Sequence, residues 1–286
     1  MRLADAMLNA GRGLLPVWLL LFALIPLLMV SAVSLLTRDE AGWITPEVTL
    51  ENYRRLFDPV YLKVFTHSMA MAGLSTLLCL GLAYPFAYLL SRVGSAWRGV
   101  LLTLVIVPFW TNSLIRIYAI RNLLAAKGAM NSLLLALGLI DEPVRLLYSG
   151  WAVGLGLTYV LLPFMILPLY SSFEKLDRRL VEAAADLYAG RWAIFRHVII
   201  PLTAPGIAAG CLLVFLPALG LFYVTDVLGG ARDLMVGALL KDQFLEARDW
   251  PFGSAASLIV ILWLFLLMGV YRWAQRWAGM GQVEDV

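Results

Sequence analysis

The chain has 286 residues, 62% of them hydrophobic and only 14% charged, with 22 Lys and Arg against 19 Asp and Glu and a mean hydropathy of +0.84. The apolar share lies well above, and the charged share well below, that of a soluble domain. A water-soluble enzyme is thereby excluded, and the expected surrounding is a lipid bilayer rather than nucleic acid.

Runs of about eighteen or more mostly apolar residues, long enough to cross a hydrocarbon core of roughly 30 Å, mark spanning helices. Six are expected, at about 14–36, 66–91, 99–120, 150–170, 201–225 and 254–273. The first follows Arg2 and Arg12, contains Pro16 and Pro26, and ends near the small residues "SAVS". It is longer than the apolar core of a cleaved signal, so it is read as a retained helix. The second span opens at His67, which reads either as a satisfied polar residue near the interface or as a functional one. The third carries Pro108 and, towards its outer end, Trp110, Asn112, Arg116 and Tyr118. Arg116 either snorkels to headgroups or pairs with an acid on a neighbour. Residues 130–140, "MNSLLLALGLI", are apolar but too short to cross and read as an interfacial helix on the outer side.

The fourth span begins with Gly150 and Gly154 and the fifth carries Gly206 and Gly210, a small-residue spacing that lets helix backbones approach closely. Five of the six spans contain proline, which frees a carbonyl and permits a kink. Cys79 and Cys211 fall inside apolar runs, where a cysteine is ordinary packing. What lies outside the spans is short, so residues 1–286 read as one all-α membrane domain, a polytopic helical bundle. An even number of spans puts both termini on one side. If segments 1–13, 92–98, 171–200 and 274–286 face the cytoplasm, they hold about half of the Lys and Arg on less polypeptide than the other loops. Asp39, Glu40, Glu47, Glu51, Asp58, Asp141, Glu142, Asp226, Asp233, Asp242, Glu246 and Asp249 then all lie on the outer face, which bears on ligands more than on insertion.

No Gly-rich loop ending in Lys-Ser/Thr is present, nor a zinc spacing, paired carboxylates or a nucleophile elbow. No catalytic constellation offers itself, which leaves transport or assembly. Between the fourth and fifth spans, however, lies a polar insert, "VEAAADLYAGRWAIFRHVIIPL", with Glu182, Asp186, Arg191 and Arg196. Leu180, Ala183, Ala184 and Leu187 recur at three and four, one face of a helix whose start Asp177 is placed to cap. Arg178 and Arg179 lie within pairing reach of Glu182. The polar face mixes acids with bases and the apolar face is mostly alanine, which anchors poorly in lipid and suits close approach by another protein.

Glu182-Ala183-Ala184 followed by Pro201 resembles the Glu-Ala-Ala loop of permease subunits of binding-protein-dependent ABC importers. That pattern carries Gly where this chain has Tyr188, with Gly190 two residues later. "LTRDEAGW", "TLENYRRLFDPVY", "VPFWTNSLIRIYAI", "LLPFMILPLYSSFEKLD", "GLFYVTDVLGG" and "RDWPFGSA" are similar, more narrowly, to the spermidine/putrescine importer permeases. The resemblance implies a MetI-like type I importer fold with six transmembrane helices, in the bacterial inner membrane. It also implies a coupling loop at about 171–200 in which Glu182, Ala183, Ala184, Asp186, Leu187, Tyr188 and Gly190 meet an ATPase. The implied partners are a second permease subunit, two ATPase subunits and a periplasmic polyamine-binding protein. ATP and magnesium would sit on the ATPases, and this chain would hold no cofactor.

A polyamine path should offer carboxylates and aromatic faces, since an ammonium over a ring gains roughly 0.5–2 kcal/mol. Tyr223 and Asp226 share a helix face, and ~1.5 Å per residue from Pro201 puts Asp226 about 37 Å along, at the outer end of the fifth span. They read equally as an interfacial anchor. Trp110 and Asp249 are the other path candidates, although Asp249-Trp250 before Pro251 also reads as a helix start. The same machinery with another cargo, putrescine alone or a different small organic ion, stays open. An ion-coupled secondary transporter would call for inverted repeats and a midplane ionisable residue, and neither is seen.

Overall fold

A computed structural model of the chain describes residues 18, 20–39, 42–230 and 233–277. Arg2, Arg12, Pro16, Glu40 and the tail after residue 277 lie outside the described residues. Among the described residues, four helices are long and apolar enough to cross a membrane: α3 (Pro59–Arg92), α7 (Gly150–Glu174), α9 (Arg191–Gly220) and the stretch Trp250–Gly269 of α12 (Trp250–Trp277). A fifth crossing is formed only if the bent pair Ala96–Trp110 and Ser113–Ala136 counts as one. The helix α1, Leu20–Ser34, is apolar but too short to cross by itself, so the described residues account for four or five of the six expected spans.

The chain divides into two compact units, Met1–Leu62 with Leu240–Gly269 and Lys63–Leu239 with Val270–Val286. In the first, α1 runs into an antiparallel hairpin, β1 (Leu36–Arg38) and β2 (Ile44–Val48), which the all-helical expectation omits. β-Branched Ile44, Thr45 and Val48 suit a strand, and Gly42 at φ +87° supplies the left-handed turn residue. Thr37 pairs with Thr45 across it. The short helix α2 (Glu51–Arg55) is tied to α1 by the buried Asn52, whose side-chain amide donates to the carbonyls of Ser34 and Leu36 at 3.0 and 2.8 Å.

The second unit is organised on α7. Two thirds of the most apolar stretch of α7, 67%, is buried, against 33% for α3 and 28% for α9. Packing of α9 on α7 is its largest interface, and it is as close as the small residues allow. A side chain at Gly206 would run into Ser172 and meet the Pro168 carbonyl at 2.8 Å, and one at Gly210 would meet Met165 Sδ at 2.6 Å. On the N-terminal half of α7 the close contact is Gly156, against Leu228 and Val224. Gly154, which the spacing singles out, has only an ordinary contact with Met71. Cys79 is fully buried on α3, as ordinary packing requires.

Two expected spans are corrected. The third is not straight: α4 (Ser95–Ile106) tightens into a 3₁₀ turn at Val107–Trp110 and the chain bends by 93° before α5 (Ser113–Leu124). Pro108 has no N–H to continue the ladder, Thr111 is extended at ψ 145°, and Asn112 starts a new helix by accepting the Leu114 N–H at 2.9 Å. α6 (Ala129–Ala136) supplies the short helix expected at 130–140. The fifth span starts ten residues early, at Arg191, and ends at Gly220. Leu221 breaks it, and α10 (Phe222–Leu228) is a separate short helix, followed by α11 (Val236–Lys241).

Candidate functional site

Between α7 and α9 only residues 175–190 lie outside the spans, and nine of them form α8, Arg178–Asp186. Asp177 caps its start, its Oδ1 accepting the Arg179 N–H at 2.9 Å. Its end closes with two reversed bonds, Tyr188 N–H to the Ala185 carbonyl at 2.9 Å and Ala189 N–H to the Ala184 carbonyl at 3.2 Å. That closure needs a left-handed residue at position 188, and Tyr188 takes it at φ +59°. This explains the substitution seen in the sequence, because the backbone here is the one a glycine would adopt, with a tyrosine carrying it.

No residue of α8 is buried. Glu182, Ala183 and Asp186 are exposed and Ala184 is half-buried. Beyond the helix, Leu187 is 81% exposed, Tyr188 98% and Trp192 71%. Among the described residues, Val181 and Ala184 are partly covered, while Leu187 and Tyr188 at the end of the helix stay exposed. Gly190 caps α9, whose first turns, from Arg191 to a π-helical segment at Phe195–Ile199, carry the rest of the polar insert. Arg178 does not reach Glu182 for its hydrogen bond; its guanidinium donates to the Ser91 carbonyl at 3.4 Å.

The residues expected on the outer side are spread over separate elements. Tyr223 and Asp226 do share a face, but of α10 rather than the end of a long span. Tyr223 is half-buried and Asp226 exposed. Trp110, 83% exposed, stands at the bend between α4 and α5. Asp249 departs from an acidic rim facing solvent, since it is only 6% exposed and both carboxylate oxygens are engaged. One accepts from Arg55 at 2.9 Å and the other from the Phe252 N–H at 3.2 Å, while Arg55 also lies 4.3 Å over the Phe252 ring. It therefore fixes the start of α12. Arg116 lies between two rings, 5.8 Å from Phe109 and 5.9 Å from Tyr159.

Sequence reasoning missed two polar partnerships. His67 Nε2 lies 3.8 Å from Asp233 Oδ1, and Asp233 also accepts the Gly230 N–H at 3.1 Å. Arg98 meets Glu174 at 3.3 Å, and Glu174 in turn accepts from the Tyr170 hydroxyl at 3.1 Å. In both the partners are far apart in sequence, and no local spacing signals them. Among the described residues no group of three or more His, Cys, Asp or Glu is placed to hold a metal.

Residues 80–279 match the family described as the binding-protein-dependent transport system inner membrane component. The chain is 53% identical over 259 residues to the spermidine/putrescine transport system permease protein PotB of Escherichia coli K12, covering 91% of this chain and 94% of that protein. It is 52% identical over 259 residues to the protein of the same name from Haemophilus influenzae, covering 91% of each. In fold it resembles a chain of the crystal structure of a bacterial alginate ABC transporter in complex with an alginate pentasaccharide-bound periplasmic protein. That likeness has a TM-score of 0.77 at 17% identity and covers 96% of this chain and 95% of that one.

Proposed function

Because the chain belongs to the binding-protein-dependent transport system inner membrane components, we propose that it is the permease subunit of an ATP-driven importer carrying spermidine and putrescine from periplasm to cytoplasm. It is a multi-pass inner-membrane transporter subunit rather than an enzyme, and an importer of this kind works with ATPase subunits and a periplasmic binding protein. In the full assembly this chain acts as one membrane domain with both termini in the cytoplasm. It pairs with a second permease, two copies of the ATPase and a polyamine-binding protein. ATP and magnesium belong to the ATPases.

The observation that carries this reading is α8: a nine-residue helix capped at both ends, none of it buried, set between two apolar spans. Glu182, Ala183, Ala184, Asp186, Leu187, Tyr188 and Gly190 form the surface that seats on the ATPase. Closure of the ATPases around ATP moves α8, tilts the permease bundles and opens the central path outward, and hydrolysis resets it. The polyamine cargo is supported by the relatives' names and by the chemistry of Tyr223, Asp226 and Trp110, an acid and two aromatic faces suited to a flexible polycation.

Uptake of radiolabelled spermidine and putrescine by proteoliposomes holding the complete complex tests the cargo. Saturable uptake of either amine, with ATP turnover that rises when the loaded binding protein is added, is expected. Turnover that neither amine stimulates would overturn the assignment and leave another small organic ion as the cargo.

A further inference from the structure

We infer that Arg98 is a positioning residue that fastens the end of α7, from which the coupling helix α8 hangs, to the cytoplasmic end of α3, making that end of α3 the load moved by the lever. The inference rests on α8 being the ATPase-docking element.

Three helix ends meet at Arg98, and the start of α8 reaches the same Ser91 carbonyl. The last carbonyls of α3 have no partner within the helix and carry the negative end of its dipole, where a guanidinium is favoured. Arg98, in the first turn of α4, donates to one of these carbonyls, Ser91, and to that of Val93 just past the helix end, each at 3.3 Å. Its other arm reaches Glu174, the last residue of α7, at 3.3 Å. Arg178, the first residue of α8, donates to the same Ser91 carbonyl. Glu174 and Arg178 flank the three-residue joint 175–177, on which α8 would swing relative to α7. A swing of α8 that left α3 behind would break the Arg178 bond to Ser91, while the Arg98 bridge keeps the α7 side of the joint fixed to the end of α3.

The other end of the insert is fastened to the same helix. Tyr84 of α3 packs edge-on against Phe195 at 5.8 Å and shares a hydrogen bond with Thr203 at 3.0 Å, both on α9. Tyr84 and Tyr88 also meet Phe173 of α7, at 5.1 and 5.5 Å. The two fastenings differ in kind. On the α9 side the contact is packed aromatic. On the α8 side a cavity of about 300 Å³ separates the helices, lined by Tyr88, Ser91, Arg98, Glu174, Arg178 and Glu182 among others, so polar bonds and not packing make the connection. An isolated, half-exposed pair such as Arg98–Glu174 would contribute little. A guanidinium that also holds the carbonyls of Ser91 and Val93 at the end of α3 has a fixed position, which is what a mechanical link requires. Pro85 lies between the two tyrosines and interrupts the backbone ladder of α3, giving the driven end a point at which to flex.

The test uses the complete complex in lipid nanodiscs and proteoliposomes, with spin labels at Leu89→Cys and Arg179→Cys after Cys79 and Cys211 are replaced by Ala. In the otherwise native protein the 89–179 distance is expected to stay single and narrow with and without ATP. In Arg98→Ala it is expected to broaden on ATP addition, with spermidine transported per ATP hydrolysed falling at least about fivefold, ~1 kcal/mol of lost coupling. Arg98→Lys, which keeps the charge but not the fork, should lie between. An unchanged distance and an unchanged transport ratio in Arg98→Ala would overturn the inference. So would loss of crosslinking from position 186 to the ATPase in that variant, because Arg98 would then serve only to keep α8 folded. A native complex in which position 186 never crosslinks to the ATPase would instead refute the docking role of α8.

Discussion

Two short helices follow breaks at the ends of spans, and they are built in opposite ways. α10 has seven residues and buries Val224, Thr225 and Leu228; Val224 and Leu228 close over Gly156 of α7, and the Leu228 carbonyl accepts the Tyr148 N–H at 3.1 Å. α8 has nine residues and buries none. The first is mounted on its own chain and would hold its shape in the isolated subunit. The second is kept helical by its caps and a few polar bonds, with none of its residues buried. The same chain thus makes one helix a packed fitting and leaves the other unburied, as the proposed docking role of α8 requires.

The sharpest way to break the contrast is at Gly156. Leucine there would have to displace Leu228 and Val224, both fully buried, and overpacking of this kind costs about 3 kcal/mol or more. Thermal unfolding of Gly156→Leu in detergent should show the subunit strongly destabilised, with transport lost through loss of folded protein. An unshifted melting curve would mean that α10 is not anchored on α7 as described. The corresponding change on α8 should do the reverse. Ala183 is exposed, so Ala183→Asp costs only the helix-propensity difference, about 0.5 kcal/mol, in the free subunit. In the complex it places a charge in the contact, and transport should fall about tenfold, equivalent to ~1.4 kcal/mol. Full transport by this variant would remove Ala183 from the interface.

The sequence reveals α8 and its cap because their signals are local: Asp177 precedes a three-and-four apolar spacing, and a nine-residue amphipathic helix requires nothing from elsewhere in the chain. The apolar run of α7 is equally plain, read at 150–170 and observed as Gly150–Glu174. The bend after Pro108 is not plain, because Pro85, Pro163, Pro168, Pro205 and Pro217 sit inside helices that continue through them. What differs at Pro108 is the sequel: Thr111 and Asn112 offer side-chain bonds that compete with the helix and then restart it. The Arg98 joint is hidden for another reason. Arg98 and Glu174 come together only because α3, α4 and α7 end at one level, a property of the packed bundle. Asp249 reads either as a solvent-facing acid or as a helix start, and only its burial against Arg55, far away in sequence, decides between them.

The smallest expected effect separates two reasons for the tyrosine at position 188. If conformation were all that mattered, glycine would serve better. A non-glycine residue in the left-handed region costs roughly 1–2 kcal/mol, whereas glycine loses about 0.5–1 kcal/mol in extra unfolded-state entropy. Tyr188→Gly should therefore tighten the end of α8 by about 0.5–1 kcal/mol, seen as slower hydrogen exchange at the Tyr188 and Ala189 amide positions, whose bonds close the helix. A ring that is 98% exposed in the isolated chain has no contact there to lose. If the ring instead seats against the ATPase, the same variant will be locally more stable yet bind the ATPase more weakly, the two readouts moving in opposite directions. Stabilisation without weaker docking would make Tyr188 a tolerated strain on an otherwise glycine-shaped turn. Opposed readouts would mean that the strain is retained because it presents an aromatic ring to the ATPase at the tip of α8.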